Sequence, residues 1–132
     1  MSFEVFLTRY VNGEEEELDA EHVRSLIRPL VVDQNDVFWS LRAGDGTETE
    51  VYISEDGSCS FTDPSGGGTD NFMIGVAREL GCVLQPAYGP IMIFHEAQRS
   101  HLPDRFAERA VVIQSTADFG QVLSMEWYDE DE

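Results

Sequence analysis

Hydrophobic and polar residues alternate from the start of the chain. Over Phe3–Val11, Phe3, Val5 and Leu7 fall on one side and Glu4, Phe6 and Thr8 on the other, with Tyr10 and Val11 closing the run. A period of two predicts a strand with one buried face, and Asn12-Gly13 ends it in a turn. Glu14–Glu17 then reads as a solvated loop or the lead-in to a helix. The period changes after Leu18, where Val23, Leu26, Ile27 and Leu30 recur at i, i+3, i+4 and i+7, the apolar stripe of a helix. Asp19 is placed to cap that helix, and Leu18 to pack on Val23 as a hydrophobic staple. Pro29 should end it, because the residue before a proline is driven out of the helical region.

Three short alternating runs follow Asp33-Gln34-Asn35-Asp36: Val37–Arg42, Thr47–Ile53 and Ser58–Thr62. In the first, Val37, Trp39 and Leu41 oppose Phe38, Ser40 and Arg42; in the second, Val51 and Ile53 oppose Tyr52; in the third, Cys59 and Phe61 point inward. Ala43-Gly44-Asp45-Gly46 and Asp56-Gly57 join them, which predicts an antiparallel meander with one wet face carrying Glu48 and Glu50. Asp63–Gly68, with three consecutive glycines, reads as a loop that is either mobile or held by a specific contact.

Asp70–Phe94 is the longest stretch that reads as buried. Thr69 or Asp70 caps a helix with Phe72, Val76 and Leu80 along one line, and Gly81 stands where a left-handed C-cap is needed. Gly75 inside this helix costs about 1 kcal/mol relative to alanine, which suggests a close neighbour there. Cys82–Leu84 and Ile91–Phe94 flank Pro86–Pro90 as a second hairpin, and the unbroken apolarity of Ile91–Phe94 marks a central strand or a homodimer interface. His95–His101 is a polar loop or helical turn. Pro103-Asp104 opens a short helix with Phe106 and Ala107 on its buried side, Val111–Ile113 is a last strand, and Ser115 or Thr116 caps a final helix with Phe119, Val122 and Leu123 inward. The order β-α-β-β-β-α-β-β-α-β-α places the chain in the α+β class, with a mixed, mainly antiparallel sheet and helices mainly on one face. Residues 1–125 read as one domain and Glu126–Glu132 as an acidic tail.

Charge changes the picture more than composition does. The 132 residues hold 26 Asp and Glu against 8 Arg, with no Lys, for a formal net charge of -18. Glu14–Glu17 and the five acids of the tail account for half of it, so the body is acidic too. Such a field disfavours nucleic-acid phosphates and anionic lipid and favours a basic protein. Without lysine, Schiff-base chemistry is excluded. The first twenty residues show no basic leader followed by an apolar core, no run reaches the length of a membrane span, and Cys59 and Cys82 have no CxxC spacing; the expected location is the reducing cytoplasm.

Candidate chemistry is sparse. His95 and His101 are the side chains best suited to proton transfer near neutral pH, and form the catalytic candidate in a pocket beside Gly66–Gly68. They match no zinc spacing, and no metal or cofactor is expected. Ser58-Cys59-Ser60 lacks the surroundings of a nucleophile. Ser65–Asn71 lacks the ending of a phosphate loop and carries Asp70, and Asp33-x-Asn35 runs into Val37 and Phe38 where calcium ligation needs a ligand and a glycine. The binding candidates are Phe38 and Tyr52 on the wet face of the meander, ringed by Glu48 and Glu50. Three functions remain: stoichiometric binding of a basic partner, a small enzyme using His95 or His101, and a structural or regulatory domain. Small acidic cytoplasmic proteins that neutralise a basic toxin share this size and charge, a likeness that extends to no motif.

Overall fold

The computed structural model describes residues 4–35, 38–62, 67–87 and 89–124. At its centre lies β1 (Glu4–Val11), paired antiparallel with β6 (Cys59–Thr62) on one side and β7 (Val83–Pro86) on the other. Val5 faces Phe61 and Pro86, and Leu7 faces Cys59 and Leu84. The meander continues outward from β6 through β5 (Glu48–Ile53) and β4 (Trp39–Arg42), and β7 continues through β8 (Met92–Ile93) to β9 (Val111–Val112), the last pair being parallel. The result is the α+β class with a mixed, mainly antiparallel sheet.

Two strands were not expected. Glu14–Glu16 is β2, which pairs with the end of β1 from Arg9 to Val11. Asn12 and Gly13 both take positive φ, 53° and 85°, and such a two-residue turn sends the chain straight back along β1. The glutamates join through their backbone, with Glu16 also 3.5 Å from Arg9 Nε, and keep their side chains exposed. Val31–Gln34 is β3, paired antiparallel with β4 at the edge of the sheet. An edge strand with one residue half-buried and three exposed gives no alternation to read.

The first helix, α1 (Ala20–Ile27), is capped by Asp19, whose Oδ1 accepts from the amides of Glu21 at 3.1 Å and His22 at 3.5 Å. Leu18 and Val23 are both buried in the same cluster, as the staple requires. A 3-10 turn over Arg28–Leu30 carries Pro29, and the Arg28 guanidinium lies 5.6 Å from the Trp39 ring.

In α2 (Gly67–Leu80) the C-terminus ends as expected: Gly81 has φ 73°, its amide donates to Arg78 O and that of Cys82 donates to Ala77 O, the two bonds of a Schellman motif. The N-terminus does not. The helix starts at Gly67, ahead of both expected caps, and Thr69 and Asp70 are buried within its first turn. Its amides are satisfied from the β4–β5 turn: Gly68 N donates to Asp45 Oδ2 at 2.7 Å and Thr69 N to Thr47 Oγ1 at 3.1 Å. A Cβ on Gly68 would stand 2.6 Å from Ala43 Cβ, so the glycines permit this close approach. Gly75 is the opposite case, for it is exposed with nothing within 4 Å of where its Cβ would be.

One face of the sheet is covered by α1, α2 and α5 (Thr116–Ser124). Val23, Ile27, Met73, Ala77 and Phe119 there meet Val5, Val51, Phe61 and Leu84, all buried. Among the described residues, the opposite face is covered only at the β7–β8–β9 end, where Leu102 and Phe106 pack with Tyr10, Val83 and Ile93. Two one-turn helices, α3 (Glu96–Arg99) and α4 (Asp104–Ala107), frame this patch. Arg99 fixes them: its Nη1 donates to Ala107 O and Ala110 O at 2.6 and 2.9 Å, while Nε and Nη2 reach the Glu96 carboxylate at 2.9 and 3.0 Å. Ile91–Phe94 is buried within this chain, which removes it as a dimer surface and supports its reading as an inner strand. The acidic tail 126–132, the Asp63–Gly66 part of the glycine loop, Val37, Tyr88 and the Leu123 side chain lie outside the described residues.

Candidate functional site

The remainder of the second face, across β4, β5, β6 and β1, has no helix over it among the described residues. Alternation puts Glu48, Glu50 and Tyr52 on this side of β5 and Glu4, Phe6 and Thr8 on this side of β1. Register then joins them into rows. Tyr52 pairs with Ser60, Ser60 with Phe6, and Phe6 with Gln85. Glu50 pairs with Thr62, and Thr62 with Glu4. The aromatic members stand out of the surface: Phe6 is 41% exposed and Tyr52 53%, while Ser60 between them is 4% exposed. The short serine is covered while the rings on either side of it stay exposed.

Phe38 lies one residue before the first β4–β5 pair, Trp39–Val51, at the end of the ladder leading to Tyr52. It is half-buried, and its backbone closes the β3–β4 turn through bonds of 3.0 and 2.9 Å with Asn35. Glu48 is exposed and its carboxylate accepts from Arg42 Nε at 2.8 Å. Of the residues expected for binding, Glu48, Glu50 and Tyr52 therefore share one open face, and Phe38 borders it.

Beyond Phe6 the face deepens into a cleft of about 440 Å³. It forms because β6 and β2 pair with the same edge of β1, β6 as far as Leu7 and β2 from Arg9 onward. The gap at Thr8 is lined by Phe6 and Gln85, by Glu15 and Glu17 from the β2 side and by Asp56 from the β6 side. Arg9 reaches into it from below: Nη1 donates to Leu80 O at 3.2 Å and Nη2 to Glu17 O at 3.1 Å, with Glu16 3.5 Å from Nε. This guanidinium thereby meets the carbonyl end of α2, where positive charge is favoured. Asp56 is held by its own turn, accepting from the Ser54 hydroxyl, from Ser58 N at 3.0 Å and from Ser58 Oγ at 2.8 Å. These bonds, the Ser54 one foremost, lower its pKa to about 2. Gly57 behind it packs against the Leu18 carbonyl so closely that a Cβ would collide.

Comparison with protein-family models, with curated proteins and with solved structures finds no match to this chain.

The histidines lie elsewhere. His95 is exposed at the start of α3, where Gln98 Oε1 accepts from Phe94 N at 2.6 Å and His95 N at 3.3 Å. His101 ties the β1–β2 turn to the loop after α3: its Nδ1 accepts from Asn12 N at 3.2 Å, and its carbonyl from Gly13 N at 2.8 Å. Neither lines the cleft. Gly67 and Gly68 belong to the first turn of α2 and are occupied with Asp45, so the loop beside which a histidine pocket was expected is in part a helix start. Among the described residues no group of three or more His, Cys, Asp or Glu is arranged to hold a metal ion, and no helix is long and apolar enough to cross a membrane. Both cysteines are free and buried, and burial pushes each thiol to about 12.

Sequence reasoning missed Phe6 and the cleft. The signal for Phe6 was present, as it is the apolar residue out of phase in β1. The cleft left none, because it is a gap between two strands far apart in sequence.

Proposed function

We propose that this chain acts by stoichiometric protein binding, occluding or accompanying a basic partner in the cytoplasm, with an immunity-type inhibitor of a basic toxin as its sharpest form. The observation that carries this reading is the sheet face that no described helix covers, on which Phe6 and Tyr52 stand proud of Ser60 between carboxylates on both flanks. Aromatic anchors within a polar rim are the usual composition of a protein-binding patch. The rim here is acidic, with Glu4, Glu48 and Glu50 on one side and Glu15, Glu17 and Asp56 on the other. A net charge of -18 adds long-range steering toward a basic surface and opposes nucleic acid.

The test is retention of a basic protein from extract of the native cell by the tagged chain, at low salt and across a salt gradient. The natural chain is expected to hold a partner that elutes steeply as ionic strength rises above about 0.15 M. Glu48→Lys with Glu50→Lys should abolish retention while the far-ultraviolet spectrum stays unchanged. Equal retention by the charge-reversed chain would refute the reading.

A further inference from the structure

We infer that the cleft at Thr8 receives an arginine side chain of the bound basic protein, stacked on Phe6 and held by Glu15, Glu17 and Asp56. This deepens the binding reading above and rests on it.

The lining carries four carboxylates, Glu15, Glu16, Glu17 and Asp56, against one cation, Arg9. Arg9 is already committed: its two terminal nitrogens donate to backbone carbonyls and its Nε lies beside Glu16. The charges of Glu15, Glu17 and Asp56 are thus left to face the cavity without a cation of this chain in the lining to balance them. A second positive group brought from outside meets that imbalance.

Phe6 decides which cation fits. It lines the cleft with 41% of its surface exposed, and an aromatic face attracts a cation laid flat upon it. A guanidinium is planar, stacks on rings, and offers donors at its edge to carboxylates, whereas an ammonium is compact and strongly hydrated. One acceptor is also set in place beforehand. Asp56 Oδ1 is fixed by Ser54 and Ser58. That carboxylate needs no further ordering at the moment of binding.

L-Argininamide is the probe, followed by amide chemical shifts of the isotope-labelled chain. Saturable shifts are expected at Thr8, Glu15–Glu17 and Ser58. Glu15→Gln and Glu17→Gln should each weaken them, up to about fivefold per carboxylate, the range for partly exposed ion pairs. Phe6→Ala should weaken argininamide more than it weakens n-butylamine, and Glu48→Gln with Glu50→Gln should leave it unchanged. Shifts scattered over the acidic surface, or equal affinity in the cleft variants, would overturn the inference. If the cleft fails this test while Glu48→Lys with Glu50→Lys still abolishes partner retention, the arginine site falls and the binding function stands. If argininamide fills the cleft but charge reversal leaves retention intact, the function falls and the cation site stands.

Discussion

Phe6 and Tyr52 are both register partners of Ser60, one from each neighbouring strand. Two inter-strand steps separate them, about 9.6 Å, and Ser60 between them is almost fully covered. Neither ring belongs to the core clusters. Truncating both to serine is therefore expected to change urea-unfolding stability by less than about 1 kcal/mol, while retention of the basic partner is lost. A large stability loss would instead make these rings structural.

The two ends of α2 answer to different constraints, and two glycines separate them. Gly75→Ala is expected to stabilise the chain by about 0.5–1 kcal/mol, because the site is open and the backbone is ordinary helix. Gly68→Ala should destabilise it by about 1–3 kcal/mol, since the new methyl meets Ala43 and the Asp45 carboxylate. Chemical denaturation of the two variants gives opposite signs if the helix starts where it is described.

Asp56 supplies a pH dependence whose sign is fixed. Its folded pKa, about 2, lies below its ordinary value because Ser54 and Ser58 hydrogen-bond the charged form. A carboxyl lowered by folding stabilises the native state above the unfolded value of about 4 and ceases to as pH falls through the folded value. The stability gap between the natural chain and Asp56→Asn should thus be constant above about pH 5 and close between about pH 4 and pH 2. Asp45, lowered by its bonds from Thr47 and Gly68, acts in the same direction. Unfolding curves at fixed ionic strength check this; a gap that persists unchanged to pH 2 would remove Asp56 as the cause.

Both thiols should resist Ellman's reagent at pH 8 in the native state. With pKa values near 12, thiolate is present at roughly one part in ten thousand, and burial blocks access as well. Reaction in native buffer at the rate seen in urea would show that the core around Cys59 and Cys82 opens freely.

What was legible in the sequence was local. β1 could be read from Val5 and Leu7, α1 from Asp19 and the Leu18–Val23 pair, and the end of α2 from Gly81, because each signal and its consequence lie within a few residues. β3 was invisible, since an edge strand buries too little to force alternation. β2 was hidden because four consecutive glutamates look solvated whether or not their backbone is paired. Tyr52, Glu48 and Glu50 were legible as one face through the period of two. The cleft was not, for it depends on where β6 stops and β2 starts along a shared edge. Asp45 was likewise read as a turn residue, and its bond to Gly68 crosses between two elements.

That bond also ties the two ends of α2 to different parts of the molecule. Asp45 and Gly68 are 23 residues apart, so the amides opening α2 have this acceptor only while the β4–β5 turn is in place. The first turn of α2 is thereby coupled to the meander, whereas the Schellman end closes on its own helix. Asp45→Ala should fray the helix start without changing that end.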